Sequence, residues 1–367
     1  MTTYRAWNLK PLDRSALKEL TAAIAQQSTE ELENRAMETM DGEPWSEEKY
    51  QMTLAAQQKE AGLLAGILAA RGITDPAEAL TLLSGEEELT DPMLLTDMDK
   101  ACARILDAID REETIVVFGD YDVDGVTATA LLYQHLKGMG ANVKCMLPSR
   151  EGDGYGLSKN AIQSIHDKGY QLIVTVDNGI SAVAEADFAA ELGIDLIITD
   201  HHLPPETLPK AVAVVDPRRE DDTSPFKGLC GAGVAFKLVQ AMGGTEAIEP
   251  LWELAALATI ADIVPLMDEN RVIVYYGLAA MAATQRPGLI ALMESAGVDM
   301  QKVSSSDVAF RMAPRINAGG RLALASRGVQ LLTTRRMVSP ALSTVSAAGS
   351  WVMICPAGTV SLYSSVT

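Results

Sequence analysis

Between residues 101 and 225 the chain alternates short apolar runs with longer stretches of helical period. The runs lie near 115–118, 143–147, 172–176, 194–199 and 211–215, and Gly, Asp or Pro punctuates their ends. They are mostly apolar and read as buried strands. Helical spacing fills 125–138, 158–168 and 181–192 between them. Strands and helices in strict alternation predict an α/β fold, a parallel doubly wound sheet. Residues 1–100 read instead as a polar helical segment, with one helix over 50–71 ended by Gly72. Asp75-Pro76-Ala77-Glu78 opens another, with Asp at the cap, Pro at the first position and Glu three residues on. From 226 to 332 the pattern is again helical, clearest at 232–242, 249–262, 270–283 and 286–296. No internal repeat is evident.

The final stretch, 333–367, differs in kind. All 49 acidic residues precede Val308, and the tail is dominated by Ser, Thr, Val, Ala and Gly without firm period. It reads as poorly ordered and foreign to the fold. Trp351-Val352-Met353-Ile354-Cys355 has strand character, but no pairing partner for it is evident.

Composition narrows the classes. A 48% hydrophobic content supplies a core, and a net charge of −19 excludes a generic basic nucleic-acid coat protein. It leaves room for a nucleic-acid enzyme with a local basic cleft, because salt screens distant acids within about 8 Å. Four cysteines without regular spacing, no signal-like N-terminus and no apolar run of membrane length point to a reduced, cytoplasmic protein.

The chemistry collects where the predicted strands end. The first runs into Gly119-Asp120-Tyr121-Asp122-Val123-Asp124-Gly125, the third into Asp177-Asn178-Gly179, the fourth into Asp200-His201-His202. Open parallel sheets bind ligands at that edge. Three closely spaced carboxylates repel one another by about 1 kcal/mol per pair at 4 Å even in water unless cations join them. An EF-hand would need an acid six residues beyond Gly125, where Leu131 stands. Asp177-Asn178-Gly179 alone would pass as a turn; its place beside the other strand ends makes it functional. Asp262, in an apolar helical end, is costly to bury unpaired and either caps a turn or reaches the same cluster. Carboxylates with some imidazole and no cysteine favour Mn²⁺ or Mg²⁺ over structural zinc. His135 and His166 fall in helices and read as bystanders. Arg150, ahead of a Gly-rich loop, and Arg315-Ile316-Asn317-Ala318-Gly319-Gly320-Arg321 offer guanidinium forks suited to phosphate. Gly231-Ala232-Gly233 is half a dinucleotide fingerprint, but Phe236 occupies the third glycine position.

These motifs, in this order, resemble those of the DHH phosphoesterases and are most similar to the RecJ-type single-stranded-DNA exonucleases. The resemblance covers residues 75 to 332. It implies that 101–225 is the metal-binding α/β domain and 226–332 its helical continuation. It further implies that Asp122, Asp124, Asp177, His201 and Asp262 hold two Mn²⁺ or Mg²⁺ ions. Asp120, Asp200 and His202 would support or share ligands, His202 as an electrostatic or acid helper. Arg150 and Arg321, with Arg315, Asn317, Gly231 and Gly233, would contact substrate phosphate. The activity implied is metal-assisted 5′→3′ hydrolysis of single-stranded DNA to mononucleotides, in repair and recombination, with no membrane partner. Family members continue into a second domain with a Gly- and His-rich substrate motif. This sequence shows none, so half of the substrate cleft is expected to be missing. Rival readings are a hydrolase of short oligonucleotides or cyclic dinucleotides, a pyrophosphatase, against which Phe118 counts, and a non-catalytic replication scaffold, which would be expected to have lost ligands.

Overall fold

The computed structural model describes residues 13–37, 46–84, 88–148, 156–322, 325–334, 351–355 and 359–363. The chain divides into two compact units, Met1–Glu87 and Glu88–Thr367. The smaller contains helices Arg14–Met37, Glu47–Ala70 and Pro76–Ser84. Their apolar positions, among them Leu20, Ile24, Ala61, Ala65 and Leu68, form one small core. Capping sets the helix starts: Ser46 Oγ accepts the Lys49 N–H at 3.3 Å, and Asp75 Oδ1 accepts that of Glu78 at 2.9 Å. The division at 87/88 falls earlier than the boundary near 100 read from the sequence. The reason is the helix Met98–Asp110, whose Met98, Ala101, Cys102 and Ile105 are buried in the core of the larger unit.

The larger unit is built on five parallel strands, β1 (Thr114–Phe118), β2 (Asn142–Met146), β3 (Leu172–Val176), β4 (Asp195–Thr199) and β5 (Ala213–Val215), in the order β2-β1-β3-β4-β5. Side chains alternate across a strand, and here the alternation separates two cores. Ile115, Val117, Leu172, Val174, Val176, Ile197 and Val215 enter the larger one. Val116, Phe118, Ile173, Leu196, Ile198 and Val214 enter the other. Helices Val123–Gly138 and Gly231–Ile248 pack against the first, and Lys159–Asp167 and Val183–Glu191 against the second. The α/β class with helices on both faces is therefore as the hydrophobic pattern predicts.

Strand order reverses between β1 and β3, since β2 lies on one side of β1 and all later strands on the other. Such a switch point opens a crevice at the C-terminal strand ends. The register matters as much. Phe118 pairs with Thr175, Val176 with Thr199, and Thr199 with Val215. Continued past the strand ends, it sets Asp120, Asp177, Asp200 and Asp216 in one row.

After the sheet come helices Trp252–Ala261, Asp268–Ala282, Pro287–Ala296, Ala313–Leu322 and Ser326–Thr333. Within the tail, β6 (Trp351–Cys355) pairs antiparallel with β7 (Thr359–Tyr363). The strand that lacked a partner in the sequence reading thus has one eight residues on. A β-prone run beyond a three-residue Pro-Ala-Gly link is a hairpin signal. The rest of 335–367, including Arg335 and Arg336, lies outside the described residues.

Candidate metal centre

Each strand end delivers its acid by a specific local device. After β1, Asp122 caps the helix Val123–Gly138, its Oδ1 accepting the Gly125 N–H at 3.0 Å. Asp124 then falls in the first helical turn, where a carboxylate is favoured. Gly125 permits the tight turn: a Cβ there would meet the Asp120 backbone nitrogen at 2.5 Å. After β3, Asp177 adopts a left-handed conformation with φ of 62°, and its N–H donates to Thr199 O on the neighbouring strand. Asn178 Nδ2 donates to Phe118 O and Val176 O, tying β1 and β3 together where the crevice opens.

Three overlapping groups result: Asp120 with Asp122 and Asp177; Asp124 with His201 and Asp262; and Asp177 with His201 and His202. Within each, one potential ligand atom per residue lies within 4.8 Å of the others. His201 Nε2 stands 3.1 Å from Asp177 Oδ1 and 3.7 Å from Asp124 Oδ2, and its Nδ1 is 3.9 Å from Asp262 Oδ2. All five ligands that the sequence resemblance implies are therefore drawn together. Asp200 plays a different part. Its Oδ1 accepts the ring Nδ1 of His202 at 2.7 Å and the N–H of His201, while Oδ2 accepts the N–H of Ile180. It orients both histidines from behind.

Electrostatically the cluster is under tension. Burial, then the Asp262 charge, pushes Asp124 up to about 7. Burial and the charges of Asp124 and Asp122 push Asp177 well above the carboxylate range. Burial and Asp122 raise Asp262 to about 6. Burial and the neighbouring His202 lower His201 to about 4, so its imidazole is neutral and able to ligate. The Asp200 hydrogen bond raises His202 instead. Among the described residues, Asp177 Oδ1 and His201 Nδ1 are buried without a hydrogen-bond partner, which ordinarily costs about 1–3 kcal/mol per group. Cations resolve both problems. Two oxygens or nitrogens each about 2.1 Å from one ion at right angles lie about 3 Å apart, close to the shortest separation seen. Oxygen-rich donors with one or two imidazoles suit Mn²⁺ or Mg²⁺.

The helix Gly231–Ile248 gives the cluster its floor. The N–H groups of Gly231 and Ala232 donate to the two carboxylate oxygens of Asp124, at 2.7 and 2.8 Å. A Cβ on Gly231 would meet Asp177 Cβ at 2.4 Å. The sequence reading gave Gly231 and Gly233 to substrate phosphate. Their amides are already taken, by Asp124 and by Cys230 Sγ, and both residues are buried. Gly231 braces Asp124 and Asp177, and Gly233 closes the cap of its own helix on Cys230.

The other phosphate candidates fare differently. Asn317 Oδ1 accepts the Val123 N–H at 3.2 Å and so braces the first motif. Arg315 is exposed, and its guanidinium donates to Arg311 O one turn back along its helix. Arg150 and the side chain of Arg321 lie outside the described residues. His135 and His166 fall outside all three acid–histidine groups. Asp216, missed in the sequence, is fully buried in the same row; burial raises it to about 7. Its signal was available, since β5 also runs into an acid.

Residues 114–261 match the DHH family, N-terminal domain. The chain is 44% identical over 282 residues to the single-stranded-DNA-specific exonuclease RecJ of Bacillus subtilis, covering 76% of this chain and 36% of that protein. It is 40% identical over 286 residues to RecJ of Escherichia coli, covering 74% and 49%. It thus spans between about a third and a half of the length of these relatives. Among solved structures it resembles an exonuclease RecJ bound to manganese (TM-score 0.60, 38% identity, 65% of this chain and 61% of that one). It also resembles Thermus thermophilus RecJ in complex with Mn²⁺ (TM-score 0.64, 33% identity, 75% and 39%). With the motifs, the sheet topology and these likenesses in agreement, the chain belongs to the DHH family.

Proposed function

We propose that this chain hydrolyses phosphodiester bonds with two divalent cations, acting on single-stranded DNA from the 5′ end and releasing mononucleotides. The observation that carries this reading is the convergence of Asp122, Asp124, Asp177, His201 and Asp262 at the switch point of the sheet, with two of their buried atoms left without hydrogen bonds among the described residues. Bound cations would supply an activated water and charge stabilisation at phosphorus. The protein's own part is to hold the ligands. Asp124 is fixed by two helix amides, His201 is kept neutral by burial, and His202, whose proton affinity the Asp200 hydrogen bond raises, is held beside the reacting centre.

The relatives named above are single-stranded-DNA-specific exonucleases, which supports that substrate; a role in repair and recombination belongs to the same reading. A reducing cytoplasmic setting belongs to the same reading and is consistent with Cys102, Cys145 and Cys230, all unpaired. No described helix is long and apolar enough to cross a membrane. The test is mononucleotide release from 5′- and 3′-labelled single-stranded DNA with Mn²⁺. Label released first from the 5′ end is expected. Hydrolysis confined to very short oligonucleotides or cyclic dinucleotides would replace the substrate, and binding without hydrolysis in any metal would favour a scaffold.

A further inference from the structure

β5 ends in Asp216-Pro217-Arg218-Arg219, one strand over from the Asp200-His201-His202 end of β4. The two ends are joined by the Asp200 N–H, which donates to Val215 O at 3.1 Å. The turn is held at several points. Asp216 Oδ1 accepts the Arg218 N–H at 2.7 Å, and Asp216 O accepts the Arg219 N–H at 3.2 Å. Pro217 fixes one backbone angle. Arg219 is buried and fully engaged, donating to Asp97 at 2.7 Å, to both oxygens of Asp221 at 2.9 and 2.6 Å, and to Val214 O.

Arg218 is the opposite case. Its side chain is exposed, and its guanidinium has no hydrogen bond or ion pair among the described residues. An arginine bordered by so many acids ordinarily finds one. It stands two residues past Asp216, which the strand register sets in one row with Asp120, Asp177 and Asp200. The local fold therefore spends one arginine on anchoring the turn and leaves the next one open at the rim of the cluster.

We propose that Arg218 binds a phosphate of the nucleic-acid strand at the metal centre, as a substrate-binding residue contributed by β5. A guanidinium presents two parallel N–H donors to phosphate oxygens. A rigid turn places them without the ordering cost that a mobile loop would carry. This rests on the phosphodiesterase reading for the identity of the ligand, and the test separates the two.

The probe is a short 5′-phosphorylated oligothymidylate. Its binding would be followed in Ca²⁺ over a range of salt, and its hydrolysis in Mn²⁺, for wild type, Arg218→Ala and Arg218→Lys. The expected loss for Arg218→Ala is about ten- to hundredfold in binding and in kcat/KM, typical of one charge-assisted contact. The slope of log affinity against log salt should fall by about 0.7, one single-strand phosphate contact. Arg218→Lys should restore the slope but only part of the affinity. Mn²⁺-induced thermal stabilisation should stay at the wild-type level in both variants, which shows the fold and metal centre intact. Wild-type-like binding and salt slope in Arg218→Ala would overturn the proposal while leaving the hydrolase reading standing. An Arg218-dependent salt slope without wild-type hydrolysis would do the reverse. A wild type that neither binds nor cleaves the strand would overturn both.

Discussion

Removing one charge from the cluster should make the metal-free protein more stable and the enzyme inactive. Asp177→Asn is the sharpest version. The swap is isosteric, and Asn tolerates the left-handed backbone at φ of 62° at least as well as Asp. Asp177 is buried and shares a 4.8 Å neighbourhood with Asp120 and Asp122. Two like charges at that distance repel by about 3–4 kcal/mol at an effective dielectric of about 20. Partial protonation relieves some of this, so a net gain of about 2–4 kcal/mol is expected in EDTA at pH 8, or roughly 4–10 °C in Tm. The pH dependence has a definite sign. The folded-state pKa of Asp177 is raised by burial and by Asp124. Its contribution to stability is therefore present below the ordinary carboxylate value of about 4 and is lost as pH rises through the raised one. The advantage of the variant should accordingly shrink toward pH 5. Differential scanning calorimetry of both proteins in EDTA at the two pH values, then with Mn²⁺, provides the assay. Mn²⁺ should raise the wild-type Tm well above that of the variant. A variant less stable than wild type in EDTA at pH 8, or equally favoured at both pH values, would refute the reasoning.

Other consequences are as specific. His201→Ala should lower kcat by at least about a hundredfold, the scale of lost metal support, while the exposed His166→Ala leaves it unchanged; steady-state kinetics with both variants checks the placement of the site. Gly231→Ala forces a Cβ against Asp177 at 2.4 Å and should cost about 1–3 kcal/mol of stability, with weakened Mn²⁺ binding by calorimetry. Asp200→Asn removes the 2.7 Å partner that raises His202, so the His202 titration midpoint in the NMR spectrum of the EDTA-treated protein should move down.

The sheet and most of its site are legible in the sequence because both depend on strand ends. Continuous apolar runs mark buried parallel strands, and an acid or histidine after such a run has few structural uses. That argument located Asp120, Asp122, Asp124, Asp177, Asp200, His201 and His202 before any geometry was known. Asp262 was legible only as a misplaced carboxylate in an apolar helix. What escaped depends on distance rather than pattern. The Gly231 and Gly233 amides look like anion donors in one dimension, and only the packing of their helix on Asp124 shows the anion to be internal. Arg219 and Arg218 are adjacent and identical in type, and nothing linear separates the buried anchor from the open side chain. The boundary at 87/88 and the pairing of β6 with β7 likewise rest on contacts that no local period announces.

The central claim is that the strand ends form one centre for two divalent cations. Isothermal titration of the EDTA-treated, dialysed protein with Mn²⁺ tests it most directly. The account predicts two ions per chain, with proton release at pH 6, because Asp124 and Asp262, raised to about 7 and about 6, must give up their protons to ligate there, and it predicts fewer than two for Asp177→Asn. Saturation with no bound Mn²⁺, or an unchanged stoichiometry in Asp177→Asn, would contradict it.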